Sequence, residues 1–172
     1  YLNLFLVLCT RLLGTRYKFE NVENIPKNVP LIFVSNHQSM YDIIAMIWFL
    51  RRFHCKFVSK KELGSGIPSV SYNLRHGGSV LIDRKDPKQA IPAIKGLSEY
   101  IEKYTRTAVI FPEGTRSHSN TEMLKAFTGI ARYALEHQIA IIPVGIIGAH
   151  EIQNRDQKRP RFKKLVKILK IV

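Results

Sequence analysis

His37 and Asp42, five positions apart in Ser35-Asn36-His37-Gln38-Ser39-Met40-Tyr41-Asp42, are the residues of this chain best suited to move a proton. A carboxylate on one imidazole nitrogen fixes the tautomer and raises the basicity of the other, which makes such a pair a general base for a hydroxyl. On a continuous helix, steps of about 100° would leave the two side chains about 140° apart, on different faces. The carboxylate meets the ring only if His37 lies in the turn before the helix, with Gln38 or Ser39 near the cap. Spacing alone is a weak signal and favours a structural histidine over a base. Ser35, Ser39 and Ser117 are not in a Gly-x-Ser-x-Gly elbow, which argues against a conventional serine hydrolase.

Two more polar clusters come after apolar runs. Phe111-Pro112-Glu113-Gly114-Thr115-Arg116-Ser117 joins a glycine, which lets backbone amides approach a ligand, to an arginine whose planar fork matches phosphate oxygens. The same residues would also suit a turn closed by an ion pair between Glu113 and Arg116. Gly78-Ser79-Val80-Leu81-Ile82-Asp83-Arg84 likewise ends on an arginine, which Asp83 could simply neutralise. Cys9 and Cys55 are too few for a disulfide framework and lack a Cys-x-x-Cys spacing, so both are expected to be reduced. His54 and Cys55 are neighbours, but two ligands do not complete a tetrahedral site, and no metal is expected.

The elements that must position these residues are legible in the hydrophobic pattern. Apolar runs at 31–34, 80–82, 109–111 and 139–144, with a fifth ending at Phe57-Val58, read as buried strands. Helical patterns lie at 39–50, 87–104 and 128–136, the second opened by Asp86-Pro87 as N-cap and first-turn proline. The alternation predicts an α/β fold in one domain, a mixed, mostly parallel sheet flanked by helices. In such sheets ligands gather outside the carboxyl ends of the strands, where all three polar clusters fall. No internal repeat, low-complexity tract or Pro-rich linker supports a second domain.

Charge and length bound the rest. The 172 residues suffice for one core, and 27 Lys and Arg against 13 Asp and Glu give +14, which draws the chain to anionic surfaces. The excess is steepest at Arg155, Lys158, Arg159, Arg161, Lys163, Lys164, Lys167 and Lys170, beside apolar Phe162, Leu165, Val166, Ile168 and Leu169. This suits an anionic membrane surface, and equally a solvated basic strand or helix face. The apolar stretch 2–13 is too short and too interrupted to span a bilayer, which takes about 20 residues; it reads as a core helix, an interfacial anchor or a truncated span. No signal-peptide pattern is visible.

Taken in order, His37 with Asp42, the strand end at Asp83-Arg84, Phe111-Pro112-Glu113-Gly114-Thr115-Arg116 and Ile142-Pro143-Val144 resemble the four-block pattern of the 1-acylglycerol-3-phosphate acyltransferase family. The resemblance runs from about Val22 to Ile147 and includes Lys60-Lys61-Glu62-Leu63 ahead of Ile67-Pro68. It implies that His37 takes the proton from an acceptor hydroxyl attacking an acyl thioester, with Asp42 orienting and charge-stabilising the ring. It also implies that Lys61, Arg84 and Arg116 hold the acceptor phosphate in a pocket shaped by Glu113 and Gly114, and that Ile142, Pro143 and Val144 line part of the acyl site. The chain departs from the family where a Phe-Lys-x-Gly block is common: it reads Leu124-Lys125-Ala126-Phe127-Thr128-Gly129.

The resemblance further implies an enzyme that acylates the sn-2 hydroxyl of 1-acylglycerol 3-phosphate, forming phosphatidic acid in phospholipid biosynthesis. Glycerol 3-phosphate or another lysophospholipid is the alternative acceptor. The implied partners are lysophosphatidate, an acyl thioester donor and an anionic membrane surface. Acyl-CoA or acyl-carrier protein serves as co-substrate and no further cofactor is needed, because a hydroxyl attacking a thioester requires a base and oxyanion support but no metal. The expected arrangement is an apolar N-terminal segment at 1–14, a membrane anchor or truncated helix, and an acyltransferase domain at 15–172, at the cytoplasmic face of a membrane. Nucleic acid is not an expected partner, since no recognition-helix, zinc-finger or aromatic-sheet signature accompanies the charge.

Overall fold

The apolar runs are too short to stand as isolated strands, and they are laid side by side and covered by the helices that separate them. The computed structural model describes residues 2–65, 68–83, 86–119, 121–153, 156 and 165–171. In chain order these form α1 (Leu2–Leu12), β1 (Thr15–Glu20), β2 (Leu31–Ser35), α2 (Tyr41–Phe49), β3 (Cys55–Lys60), α3 (Pro68–His76), β4 (Val80–Ile82) and α4 (Pro87–Lys103). The chain continues through β5 (Thr107–Ile110), α5 (Gly129–Glu136), β6 (Ala140–Ile147), α6 (Ala149–Ile152) and β7 (Leu165–Ile171). Arg84 and the basic residues Arg155, Lys158, Arg159, Arg161, Lys163 and Lys164 lie outside the described residues.

The sheet has seven strands in the order β1-β7-β6-β2-β5-β3-β4. The five from β6 to β4 are mutually parallel, β7 runs antiparallel to β6, and β1 is parallel to β7. The expected mixed, mostly parallel α/β sheet is therefore what the chain forms. Phe33 of central β2 is in register with Val109 of β5 and Ile142 of β6. The chain leaves β2 toward β3 and β5 on one side and returns to β6 on the other, so the end of β2 lies where the strand order reverses, the usual crevice for ligands in open α/β sheets.

Burial on both faces explains why β2 reads as a continuous apolar run and not as an alternation. Leu31 and Phe33 pack with Ala45, Met46 and Leu50 from α2 and its end. Ile32, on the opposite face, packs with Leu97 and Ile101 of α4 and Ala134 of α5. Asp86 caps α4 as expected, its Oδ1 accepting from the Lys88 N–H at 3.0 Å with Pro87 in the first turn. Cys55 belongs to the first core, and burial pushes its thiol up from 9.0 to about 12 while its S–H donates to the Leu50 carbonyl at 3.6 Å.

Helix α2 begins at Tyr41 and not at residue 39, because the segment before it is drawn into hydrogen bonds with Asp42 and Glu113. The strand expected at 109–111 is Thr107–Ile110, since Phe111 and Pro112 turn out of the ladder, where proline has no N–H to offer. The apolar stretch near the start is a helix, α1, whose Val7 and Thr10 are buried; Thr10 Oγ1 lies 2.7 Å from the Tyr17 hydroxyl. Phe5, Leu8, Leu12 and Leu13 remain exposed. Among the described residues no helix is long and apolar enough to cross a membrane.

Candidate active site

The segment between β2 and α2 holds His37 outside the helix, and this is what lets Asp42 reach it. Asp42 is 0% exposed, and its Oδ2 lies 3.2 Å from His37 Nδ1 while accepting the N–H groups of Gln38 and Ser39 at 2.8 Å each. Ser39, itself buried, accepts the Tyr41 N–H on its Oγ at 3.3 Å. Ser39 and Asp42 thus form a reciprocal cap, serine toward the helix and carboxylate back toward the loop, a capping-box arrangement with aspartate at its third position. One oxygen therefore both starts the helix and orients the ring. The His37 ring is also stacked on Phe111, the two centroids 4.2 Å apart. Nε2 has no hydrogen-bond partner among the described residues.

Glu113 binds this loop to the one after β5. It is 4% exposed, its Oε1 accepts the His37 N–H at 2.8 Å, and its Oε2 accepts the Leu124 N–H at 2.9 Å. The Ser117 N–H donates to the His37 carbonyl at 2.7 Å. The alternative of a Glu113–Arg116 ion pair is not formed, because the carboxylate is given to the two amides. Gly114 takes a φ of 68°, the left-handed conformation that lets the loop turn back after Glu113.

Asn36, to which the sequence assigned no role, supplies a third tether. Its Nδ2 donates to the Ile146 carbonyl at 2.9 Å and its Oδ1 accepts the Ile146 N–H at 2.7 Å. The side-chain amide acts there as one rung of a sheet, fixing the residue before His37 to the end of β6. The only sequence signal was that asparagine offers paired donor and acceptor, since its partner lies 110 positions away.

The remaining expected residues divide by place. Lys61, exposed in the short 3-10 turn after β3, and Arg116, partly exposed, both come after carboxyl ends of parallel strands, and neither has a described carboxylate within ion-pair distance. Pro143 and Val144 line a cavity of about 490 Å³ beside the loop that carries His37, together with Val34, Met123, Ile146 and Ile147. Ile142 is not in that lining and packs, partly buried, on the core beneath α2. No three of His, Cys, Asp and Glu converge on one point among the described residues.

Residues 16–147 match the family described as Acyltransferase. The chain is 34% identical over 143 residues to a 1-acyl-sn-glycerol-3-phosphate acyltransferase of Helicobacter pylori, an alignment covering 81% of this chain and 57% of that protein. It is 30% identical over 159 residues to the alpha form of the same enzyme from Ovis aries, covering 92% and 54%. The crystal structure of the 1-acyl-sn-glycerophosphate (LPA) acyltransferase of Thermotoga maritima superposes with a TM-score of 0.77 at 29% identity, over 99% of this chain and 65% of that one. The chain spans a little over half the length of the two enzymes matched by sequence. With the fold, the ordered blocks and the match to residues 16–147 in agreement, the chain belongs to the acyltransferase family.

Proposed function

We propose that the chain transfers an acyl group from a thioester, acyl-CoA or acyl-carrier protein, to the sn-2 hydroxyl of 1-acylglycerol 3-phosphate, forming phosphatidic acid for phospholipid biosynthesis. The observation that carries this reading is the convergence on Asp42 Oδ2, which holds His37 by Nδ1 and leaves Nε2 as the proton acceptor. As the acceptor oxygen attacks the thioester carbonyl, its proton passes to Nε2, and the buried carboxylate stabilises the imidazolium. The carbon–sulfur bond then breaks, and the departing thiolate takes the proton back from Nε2. Asp42 stays ionised throughout. No acyl-enzyme forms, so no serine elbow is needed.

Lys61 and Arg116, with Arg84, would hold the acceptor phosphate, their charges unclaimed by any described carboxylate in the case of the first two. Glu113 and Gly114 would shape this pocket through the loop they hold and not by touching the phosphate, since both Glu113 oxygens are taken by amides. The apolar walls of the cavity at Pro143 and Val144 suit an acyl chain. A membrane surface on the cytoplasmic side fits the exposed apolar stripe of α1 beside Arg11, Arg16 and Lys18. It also fits exposed Met40, Leu63, Met123 and Phe127 near the catalytic loops, beside Lys60, Lys61 and Lys125.

The test is thioester-dependent acylation of lysophosphatidate in mixed micelles, run with the intact chain and with His37→Ala, using glycerol 3-phosphate and other lysophospholipids as parallel acceptors. The expected outcome is phosphatidate from the intact chain and turnover lowered by ~10²-fold or more in the variant. Equal product from both chains removes His37 from the mechanism. Preference for glycerol 3-phosphate reassigns the acceptor.

A further inference from the structure

A second concavity lies at the opposite end of the sheet. Asn28 and Val29 precede β2, Arg52 to His54 precede β3, and Tyr104 to Arg106 precede β5; with Thr107 they line a cavity of about 380 Å³. The catalytic loops leave the other ends of β2 and β5, a distance of ~13 Å for a strand of this length. The lining carries two guanidinium groups and an imidazole and no carboxylate. Neither Arg52 nor Arg106 has a described Asp or Glu within ion-pair distance. The acid nearest in sequence, Glu102, is drawn off to α5, where it lies 3.3 Å from His137 Nδ1 and accepts from the Tyr133 hydroxyl at 3.4 Å. The lining of the cavity beside the His37 loop, by contrast, includes Glu113, Glu122 and Glu151 as well as His150.

The backbone adds an independent observation. Of the five described non-glycine residues at positive φ, three line this one cavity: Asn28 at 59°, His54 at 49° and Thr105 at 48°. Left-handed backbone is disfavoured wherever a Cβ is present, most of all for a β-branched residue such as Thr105. Thr105 also ends α4, its N–H on the Glu102 carbonyl at 3.3 Å, a place that glycine usually fills. Glycine would relax the chain at each position. What it would remove is a carboxamide, an imidazole and a hydroxyl, all able to donate to phosphate oxygens. Strain of this kind gathers at ligand clamps, where the side chain is worth more than the backbone comfort.

We propose that this cavity binds a phosphate group, free phosphate or a phosphate monoester, through the planar forks of Arg52 and Arg106 with Asn28, His54 and Thr105 around them. The site is separate from Lys61 and Arg116 and stands whether or not the chain catalyses the proposed acyl transfer.

The experiment titrates inorganic phosphate into the isotope-labelled full chain at constant ionic strength and monitors the backbone amides of residues 28, 54, 105 and 106. Saturable shifts are expected, with affinity at least about tenfold weaker in the Arg52→Ala, Arg106→Ala double variant, the scale of one lost charge-assisted hydrogen bond. Vesicles containing phosphatidate, a monoester, and vesicles containing phosphatidylglycerol, a diester, separate the sources. A response to phosphatidate vesicles without one to dissolved phosphate assigns a lipid headgroup, and a response to both assigns the phosphate group itself. Thr105→Gly is a check that leaves both arginines in place: it should raise the midpoint of thermal unfolding while weakening phosphate binding. Equal shifts with chloride at the same ionic strength, or phosphate affinity unchanged in the double arginine variant, would overturn the proposal.

Discussion

The proposed base and the cations proposed to hold the acceptor phosphate are built on opposite plans. Around His37 the side chains are held by the protein: Asp42 Oδ2 by two amides and the ring, Glu113 by two amides, Asn36 by both backbone groups of Ile146. Lys61 and Arg116 sit on turns at the surface with no described carboxylate to hold them. The difference fits what each half would do in the proposed reaction. Proton transfer is lost when the donor and acceptor drift by an ångström, and the buried bonds around His37 hold the proposed base against such drift. Attraction between a cation and a phosphate falls off slowly with distance and tolerates a moving side chain. Variants in the first half should therefore lower turnover, and variants in the second should raise the acceptor Michaelis constant.

Beyond His37 itself, Asp42→Asn should show the largest effect. Asparagine keeps one oxygen for the amides of Gln38 and Ser39 but brings no negative charge to stabilise the imidazolium. Turnover should fall by at least about 10²-fold, with the acceptor Michaelis constant within about twofold of the original. Steady-state kinetics with varied lysophosphatidate separates the two parameters. A Michaelis constant that rises with turnover unchanged would dissolve the contrast between the halves.

Glu113→Gln sharpens the same contrast at a smaller scale. Glutamine can answer only one of the two amides with its oxygen and turns an NH₂ toward the other, leaving a buried donor unsatisfied at a cost of about 1 to 3 kcal/mol in stability. The melting midpoint should drop and turnover should fall by roughly tenfold as the His37 loop loosens. The resemblance to the family sets Glu113 among the phosphate-binding residues, and its hydrogen bonds to the His37 and Leu124 amides suggest a second role, holding the His37 loop. If the variant instead raises the acceptor Michaelis constant and melts normally, the phosphate assignment is the right one.

The parts of this design that were legible in the sequence are the local ones. Gln38 or Ser39 stands near the expected cap of an apolar helical pattern, and the angular spacing lets Asp42 meet His37 only if His37 precedes the helix. The strands of the central sheet were visible because burial on both faces leaves a continuous apolar run. Strands β1 and β7 were not predicted: in β1 the charged Arg16, Lys18 and Glu20 alternate with Tyr17 and Phe19, and β7 lies within a tail whose basic character suited a strand or a helix face equally. The tethers through Glu113 and Asn36 join residues 76 and 110 positions apart, and no periodicity within one segment can announce a bond of that range.

Arg116→Ala should give a change of the same order as Glu113→Gln and fall on the other parameter. Losing a charge-assisted bond worth roughly 1.5 to 3 kcal/mol raises the acceptor Michaelis constant about tenfold or more while leaving turnover near its original value. Because Arg116 is partly exposed, the penalty should shrink as salt is raised from low ionic strength to several hundred millimolar, which does not apply to the buried Asp42. Arg116→Lys then decides what the clamp reads. Lysine restores the charge as a point but not the planar fork, so a recovered Michaelis constant means that attraction over distance is sufficient. A constant that stays high means that Arg116 meets the phosphate through two aligned bonds, and that the cation half is more tightly specified than its open construction suggests.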